Sequence, residues 1–258
     1  MTYRAKPADG AAWVTGASAG IGRSVALELA RRGYEVYATA RRADELASLE
    51  REAQGLQGRV VAAPGDVTER EAMARLVADI ESKRPIALAF LNAGGAFRDA
   101  AGDFGGDGFA RTFALNVQGV ANGYNPVFNA MRARRCGQIA ITGSLAGYGG
   151  LPNSGAYGPS KAAIISLAVG EKFRADPHNV TVQIVNPGFV KTPLTAGNAF
   201  AMPFLMECED VCRRICDGFE RSGFEIRFPR RLAWIVRAIN LLPWPAYFAL
   251  LKLGGRRG

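Results

Sequence analysis

The sequence predicts a single doubly wound α/β domain, with a mostly parallel sheet of about seven strands and helices on both faces. Three observations predict it. Short apolar runs alternate with segments of helical period over most of the 258 residues. A glycine-rich turn, "VTGASAGIG", joins the first run to the first helix. The run "IALAFLNAGG" is nearly all apolar, as in a strand covered on both faces.

The elements follow in order. Residues 11–16 read as a strand, and Ile21 to Arg32 as a helix with Val25, Ala26 and Leu29 on one face. A second strand over 34–40 leads to a helix from Asp44 to Gln54, and a third strand with its turn over 59–67 leads to a helix from Glu69 to Glu81. The buried strand at 86–95 is followed by one long helix from Gly108 to Arg134, a strand at 137–144, a helix beginning near Tyr157 and a strand at 180–188. After Gly188 the alternation gives way to an apolar loop containing glycine and proline. A helix from Glu209 to Phe219 and a short strand at 224–228 close the series. No repeat or linker divides the chain. One catalytic domain is therefore expected over residues 1–225, with a substrate loop at about 193–223 and an extension over 226–258.

Composition narrows the class further. Hydrophobic residues make up 48% and charged residues 21%, ordinary for a globular protein. The first ten residues hold no apolar stretch and there are four cysteines, so a cytoplasmic location without a disulfide framework is expected. The net charge is +9, but seven basic and no acidic residues lie between Ile226 and Gly258, leaving +2 for the rest. A nearly neutral body argues against a nucleic-acid partner.

Two features carry chemistry. In the first turn, Gly16, Gly20 and Gly22 let the backbone turn tightly and approach a ligand, and the helix behind them offers free N–H groups to a pyrophosphate. At the end of the second strand the chain reads "YATARRADE": where a carboxylate would bind the ribose 2′-hydroxyl of NAD there are Arg41 and Arg42, which suit the 2′-phosphate of NADP. NADP is the expected cofactor, with NAD as the alternative. The second feature is "GAYGPSKAAI". Tyr157 and Lys161, four apart, share a helical face, and an ammonium beside a phenol favours the phenolate. Pro159 between them requires the helix to begin no more than one turn earlier.

With these motifs in this order, residues Ala11 to Thr192 resemble the short-chain dehydrogenase/reductase family, whose domain is of the Rossmann type. "TGASAGIG" is similar to the family's glycine turn, which places Gly16, Ser18, Gly20, Ile21 and Gly22 at the cofactor. "GDV" supplies Asp66 and Val67 for the adenine, and "NAG" supplies Asn92, Ala93 and Gly94 beside the adenosine ribose. "NPGFVKT", with Pro187, Gly188, Val190 and Thr192, resembles the loop at the nicotinamide end. The resemblance implies a catalytic set of Asn116, Ser144, Tyr157 and Lys161 for interconverting a carbonyl and an alcohol. Tyr157 would exchange the proton and Ser144 would hold the carbonyl oxygen. Lys161 would lower the Tyr157 pKa and grip the nicotinamide ribose, and Asn116 would anchor a relay water. The family also implies a homodimer or homotetramer.

Leu145, Tyr148, Phe200, Met202 and Phe204 flank this region and are apolar, so a lipophilic carbonyl or alcohol substrate is expected. Two rival readings are a dinucleotide-binding regulator without turnover and a methyltransferase with a similar glycine turn. The first leaves the proton relay without use; the second leaves the Tyr–Lys pair and the arginines without use. Cys208, Cys212 and Cys216 fall on one helical face and are read as core residues, and the lone His178 as a turn residue, so no metal is expected. In the extension, Arg237, Asn240, Pro243 and Pro245 interrupt an apolar stretch too often for a membrane-spanning helix. Two placements remain open for it: packing on the body, the substrate mouth or a partner subunit, or peripheral contact with a membrane surface.

Overall fold

The computed structural model describes residues 3–97, 99, 105–152, 154–197 and 201–255. Seven strands form one sheet: β1 (Ala11–Thr15), β2 (Glu35–Thr39), β3 (Arg59–Ala62), β4 (Ile86–Leu91), β5 (Gly137–Thr142), β6 (Val180–Pro187) and β7 (Glu225–Phe228). Their order is β3-β2-β1-β4-β5-β6-β7, and every pairing is parallel. Alternation along each strand sorts side chains to two cores. Ala12 and Val14 of β1 join Leu88 and Phe90 of β4 on one face, while Ala11 and Trp13 join Ile86, Ala89 and Leu91 on the other. The first core is covered by α1 (Gly20–Arg31), α2 (Ala43–Glu52) and α7 (Cys208–Phe219). The second lies under α3 (Arg70–Lys83), α5 (Gly119–Arg134) and α6 (Tyr157–Ala175).

The chain builds outward from β1 to β3 and then returns to place β4 beside β1. That reversal opens a crevice at the carboxyl ends of β1 and β4, the place where such sheets bind ligands.

One expected helix is divided. The long helix over 108–134 is split into α4 (Asp107–Phe113), a π-helical turn (Ala114–Gln118) and α5. The wider turn carries Asn116, which is fully buried; π-turns of this kind insert one residue and re-aim a side chain. The helix also continues through Pro126. Finally, β7 runs through the boundary drawn at residue 226, so the extension begins inside the sheet. It goes on as α8 (Arg230–Asn240) and α9 (Trp244–Gly255), with Pro243 between the helices and Pro245 in the first turn of α9, where its missing N–H breaks no bond. Among the described residues no helix is long and apolar enough to cross a membrane. Cys212 and Cys216 are buried in the first core, with Cys208 packed against it.

Candidate active site

The ends of β1, β4 and β5 are stitched together by polar side chains. Thr15 Oγ1 accepts from the backbone N–H of Asn92 (2.9 Å) and of Ala93 (3.1 Å), and Asn92 Nδ2 donates to Thr15 O (3.2 Å). Thr142 Oγ1 donates to Asn92 Oδ1 (3.2 Å). Asn92, Ala93 and Gly94 are thereby fixed along the floor of the crevice.

The glycine turn forms its near wall. Gly16 has φ +68°, a conformation that costs glycine little. At Gly22, a Cβ would sit 2.2 Å from the Gly16 carbonyl oxygen and 2.6 Å from Asn92 Nδ2. The helix α1 starts there without a side-chain cap, so its first N–H groups are left for a ligand. A cradle closed to any Cβ, with open N–H groups at a helix start, fits a pyrophosphate. Beyond it, Arg42 Nη2 donates to Ser18 Oγ (3.1 Å), and Arg41 Nη1 lies 3.9 Å from Asp66 Oδ2. Both guanidinium groups are largely exposed, 72% for Arg41 and 56% for Arg42, and can turn toward an added anion. Val67 is buried, with its carbonyl accepting from Asn122 Nδ2 (2.9 Å). Thr192 closes over the turn, with its Cγ2 3.2 Å from the position of a Gly20 Cβ.

The polar cluster at the other end centres on α6. The helix begins at Tyr157, so Pro159 is its third residue and Tyr157 and Lys161 keep regular helical spacing. Lys161 is 3% exposed, and its Nζ donates to Thr142 O (2.8 Å). Gly94 lies against both Lys161 and Asn116: a Cβ there would be 3.3 Å from Lys161 Nζ and 3.1 Å from Asn116 Oδ1. Asn116 Oδ1 accepts from Gly95 N–H (2.8 Å), while its Nδ2 donates to Gly95 O (2.9 Å) and Ser160 Oγ (2.9 Å). Ser144 caps the 3-10 turn Leu145–Gly147 by accepting from Ala146 N–H (3.1 Å), donates to Pro187 O (3.4 Å) and shares a side-chain hydrogen bond with Tyr157.

The electrostatics differ from the expected ones. Burial raises the Tyr157 phenol above its ordinary value, and the influence pulling it down is the Ser144 hydrogen bond. The Lys161 ammonium donates to Thr142 O and sits 5.7 Å from the centre of the Tyr157 ring. Burial in turn lowers Lys161 from 10.5 to about 8. The unfolded chain holds that proton to higher pH than the folded one, so folded stability rises as pH climbs from about 8 toward 10.5. In Lys161→Met that contribution is absent. The Tm difference, wild type minus variant, is expected to grow steadily over this interval; a flat difference in a melting series would contradict it.

The loop that begins at Pro187 is held from three sides. Gly188 N–H donates to Phe228 O (2.8 Å), Thr195 Oγ1 donates to Val190 O (2.6 Å), and Val190 forms a parallel bridge with Met206. That bridge brings Met206 back beside Val190. Leu145 is buried, Met202 is partly buried and Phe204 is 46% exposed; Phe200 lies outside the described residues. The Tyr148 hydroxyl donates to Glu225, and the ring is half-buried.

Sequence reasoning passed over Thr15, Thr142, Ser160 and Glu225. Glu225 accepts from Tyr148, Asn186 Nδ2 (2.7 Å), Arg227 Nη1 (2.6 Å) and Arg237 Nη2 (2.5 Å), which hold it below the usual carboxylate range despite burial. Its one local signal was an acid inside an otherwise apolar and basic strand.

Comparison with known proteins agrees with this arrangement. The family model described as short chain dehydrogenase matches residues 10–200. A protein of Myxococcus xanthus named an uncharacterized oxidoreductase is 36% identical over 255 residues, covering 98% of each chain. The 3-oxoacyl-[acyl-carrier-protein] reductase of Thermotoga maritima is 31% identical over 183 residues, covering 70% of this chain and 74% of the relative. Among solved structures, a short-chain dehydrogenase from Sphingobium yanoikuyae in complex with NADPH superposes with a TM-score of 0.78 at 25% identity, covering 94% of this chain and 95% of that one. The chain belongs to the short-chain dehydrogenase family and is an oxidoreductase.

Proposed function

We propose that the protein is an NADP-preferring reductase of apolar ketones or aldehydes. One observation carries the reading: the Tyr157 hydroxyl, Ser144 and the buried Lys161 converge at the end of the crevice that begins at the glycine cradle. Gly16, Gly22 and the start of α1 would hold the pyrophosphate, Asp66 and Val67 the adenine, and Arg41 and Arg42 the 2′-phosphate. Gly94, Lys161 and the loop from Pro187 to Thr192 would hold the nicotinamide half. When bound, the cofactor supplies the hydride that reduces the carbonyl carbon.

The protein's own residues supply the rest. Ser144 hydrogen-bonds the carbonyl oxygen and fixes its place. Tyr157, whose raised pKa keeps it protonated at neutral pH, gives its proton to that oxygen as charge develops there. A phenol held protonated suits the direction of reduction. Lys161 orients the ribose and, with Asn116, lies on the route by which Tyr157 regains a proton. The apolar character of Leu145, Met202 and Phe204 favours a lipophilic substrate.

The cofactor claim is checked with purified enzyme and a panel of apolar ketones, using NADPH and NADH in turn. NADPH is expected to give the higher kcat/KM. Arg42→Ala is expected to lower kcat/KM for NADPH roughly tenfold, mostly through KM, with NADH little affected, since a charge-assisted contact is worth about 1.5–3 kcal/mol. Equal use of both cofactors by the wild type would remove the role given to Arg41 and Arg42. Brisk turnover of small charged substrates with none of apolar ketones would remove the substrate claim.

A further inference from the structure

The C-terminal helices α8 and α9 carry an apolar surface that none of the other described residues covers. The inner side of α8 is seated on the body: Ala233 and Val236 are buried, and Arg237 is paired with Glu225. The outer side shows Arg231, Trp234, Ile235 and Ala238, spaced i, i+3, i+4 and i+7, all exposed. From Leu241 to Leu250 every residue is exposed except Tyr247, which is buried with its hydroxyl donating to Gly150 O. Leu241 is 86% exposed, Trp244 69% and Trp234 59%, and the Trp244 and Phe248 rings stack at 5.8 Å. A patch with two outward tryptophans is more than the scattered single apolar residues of an ordinary surface.

We infer that this face docks on an anionic phospholipid bilayer. The charge pattern selects that occupant. No acidic residue occurs from Ile226 to Gly258. Arg227 and Arg237 both pair with the one Glu225 carboxylate, which leaves a net +1 there, whereas Arg230, Arg231 and Lys252 are exposed, with no ion pair among the described residues. Arg256 and Arg257 follow in the sequence. Tryptophan and basic side chains around exposed leucines suit the headgroup boundary, where indole N–H groups and cations meet phosphate while apolar groups enter the acyl region. A second copy fits less well, because a two-fold contact sets the same patch against itself and would face arginine with arginine and no counter-charge. Leu232, on the inner side of α8, meets Gly188, so the docked face adjoins the catalytic loop. Docking and turnover are separate properties, and docking is measured without substrate.

The tryptophans provide the probe. Of the three, Trp13 is fully buried in the core, while Trp234 and Trp244 are outward. Full-length protein is mixed with vesicles of phosphatidylcholine, with and without phosphatidylserine, some made with brominated acyl chains. The expected result is sedimentation with the phosphatidylserine vesicles, a salt-sensitive gain of roughly tenfold or more over phosphatidylcholine alone, and quenching by bromine. Trp234→Phe/Trp244→Phe, which retains Trp13, is expected to bind without being quenched. Arg230→Gln/Arg231→Gln/Lys252→Gln is expected to lose the preference for phosphatidylserine with its melting temperature and any reductase activity unchanged. Absence of sedimentation, or binding without quenching of the wild type, would overturn the inference. So would a dimer, seen by light scattering, that dissociates in Trp234→Gln/Trp244→Gln while vesicle binding is absent; the face would then be a contact between copies.

Discussion

Tyr157→Phe is expected to lower kcat by about 10²–10⁴-fold, the range a positioned proton donor contributes. Only the hydroxyl is removed. The ring stays at the head of α6, where the backbone N–H of Tyr157 donates to Ser154 O (3.1 Å) and its carbonyl accepts from Ser160 Oγ (2.7 Å). Neither contact involves the phenol, so the helix start and the Ser160–Asn116 link survive. Ser144 loses a hydrogen-bond partner but keeps Ala146 and Pro187. Stability and NADPH affinity are therefore expected to change little, while kcat and kcat/KM fall together. Steady-state kinetics beside a fluorescence titration with NADPH check this. A variant with near wild-type kcat would move the proton donor to another group.

The second large effect is expected at Gly22. Its missing Cβ leaves the Gly16 carbonyl only 2.2 Å from where a methyl group would stand, with Asn92 Nδ2 at 2.6 Å. Neither neighbour can yield cheaply: one is backbone, and the other is bonded to Thr15 O. In Gly22→Ala the turn must shift, withdrawing the N–H groups at the start of α1. NADPH affinity is expected to fall about a hundredfold, equivalent to one or two charge-assisted hydrogen bonds. Overpacking of about 1–3 kcal/mol is expected to lower Tm by several degrees. Gly170→Ala on α6 is the control, because nothing lies within 4 Å of its Cβ position and alanine is the better helix former. Calorimetric titration and melting of the two variants test the contrast; equal NADPH affinity in both would contradict the assignment of the cradle.

Much of this molecule was legible in its sequence because the relevant signals are local. Alternating runs set the strands, the glycine turn marked the head of α1, and the spacing of Tyr157 and Lys161 put both on one face of α6. Pro159 even limited where that helix starts. What escaped depends on residues distant in the chain. The π-turn at Asn116 hides because "ALNVQ" keeps a helical pattern, and one inserted residue leaves no mark in side-chain periodicity. Glu225 gathers partners from positions 148, 186, 227 and 237, so its local strand could not show that it ties β6 to α8. The raised Tyr157 pKa escaped for a similar reason: four-residue spacing brings Lys161 near Tyr157, but cannot show that the folded chain buries the phenol.

The most direct test of the central claim is transfer of label from NADPH deuterated at C4 to an apolar ketone, read by mass spectrometry of the alcohol. The account predicts an alcohol one mass unit heavier, labelled at the carbinol carbon, from the wild type and only traces from Tyr157→Phe. Tight NADPH binding with no labelled alcohol from any ketone or aldehyde would contradict it and would point to a dinucleotide-binding protein that performs no reduction.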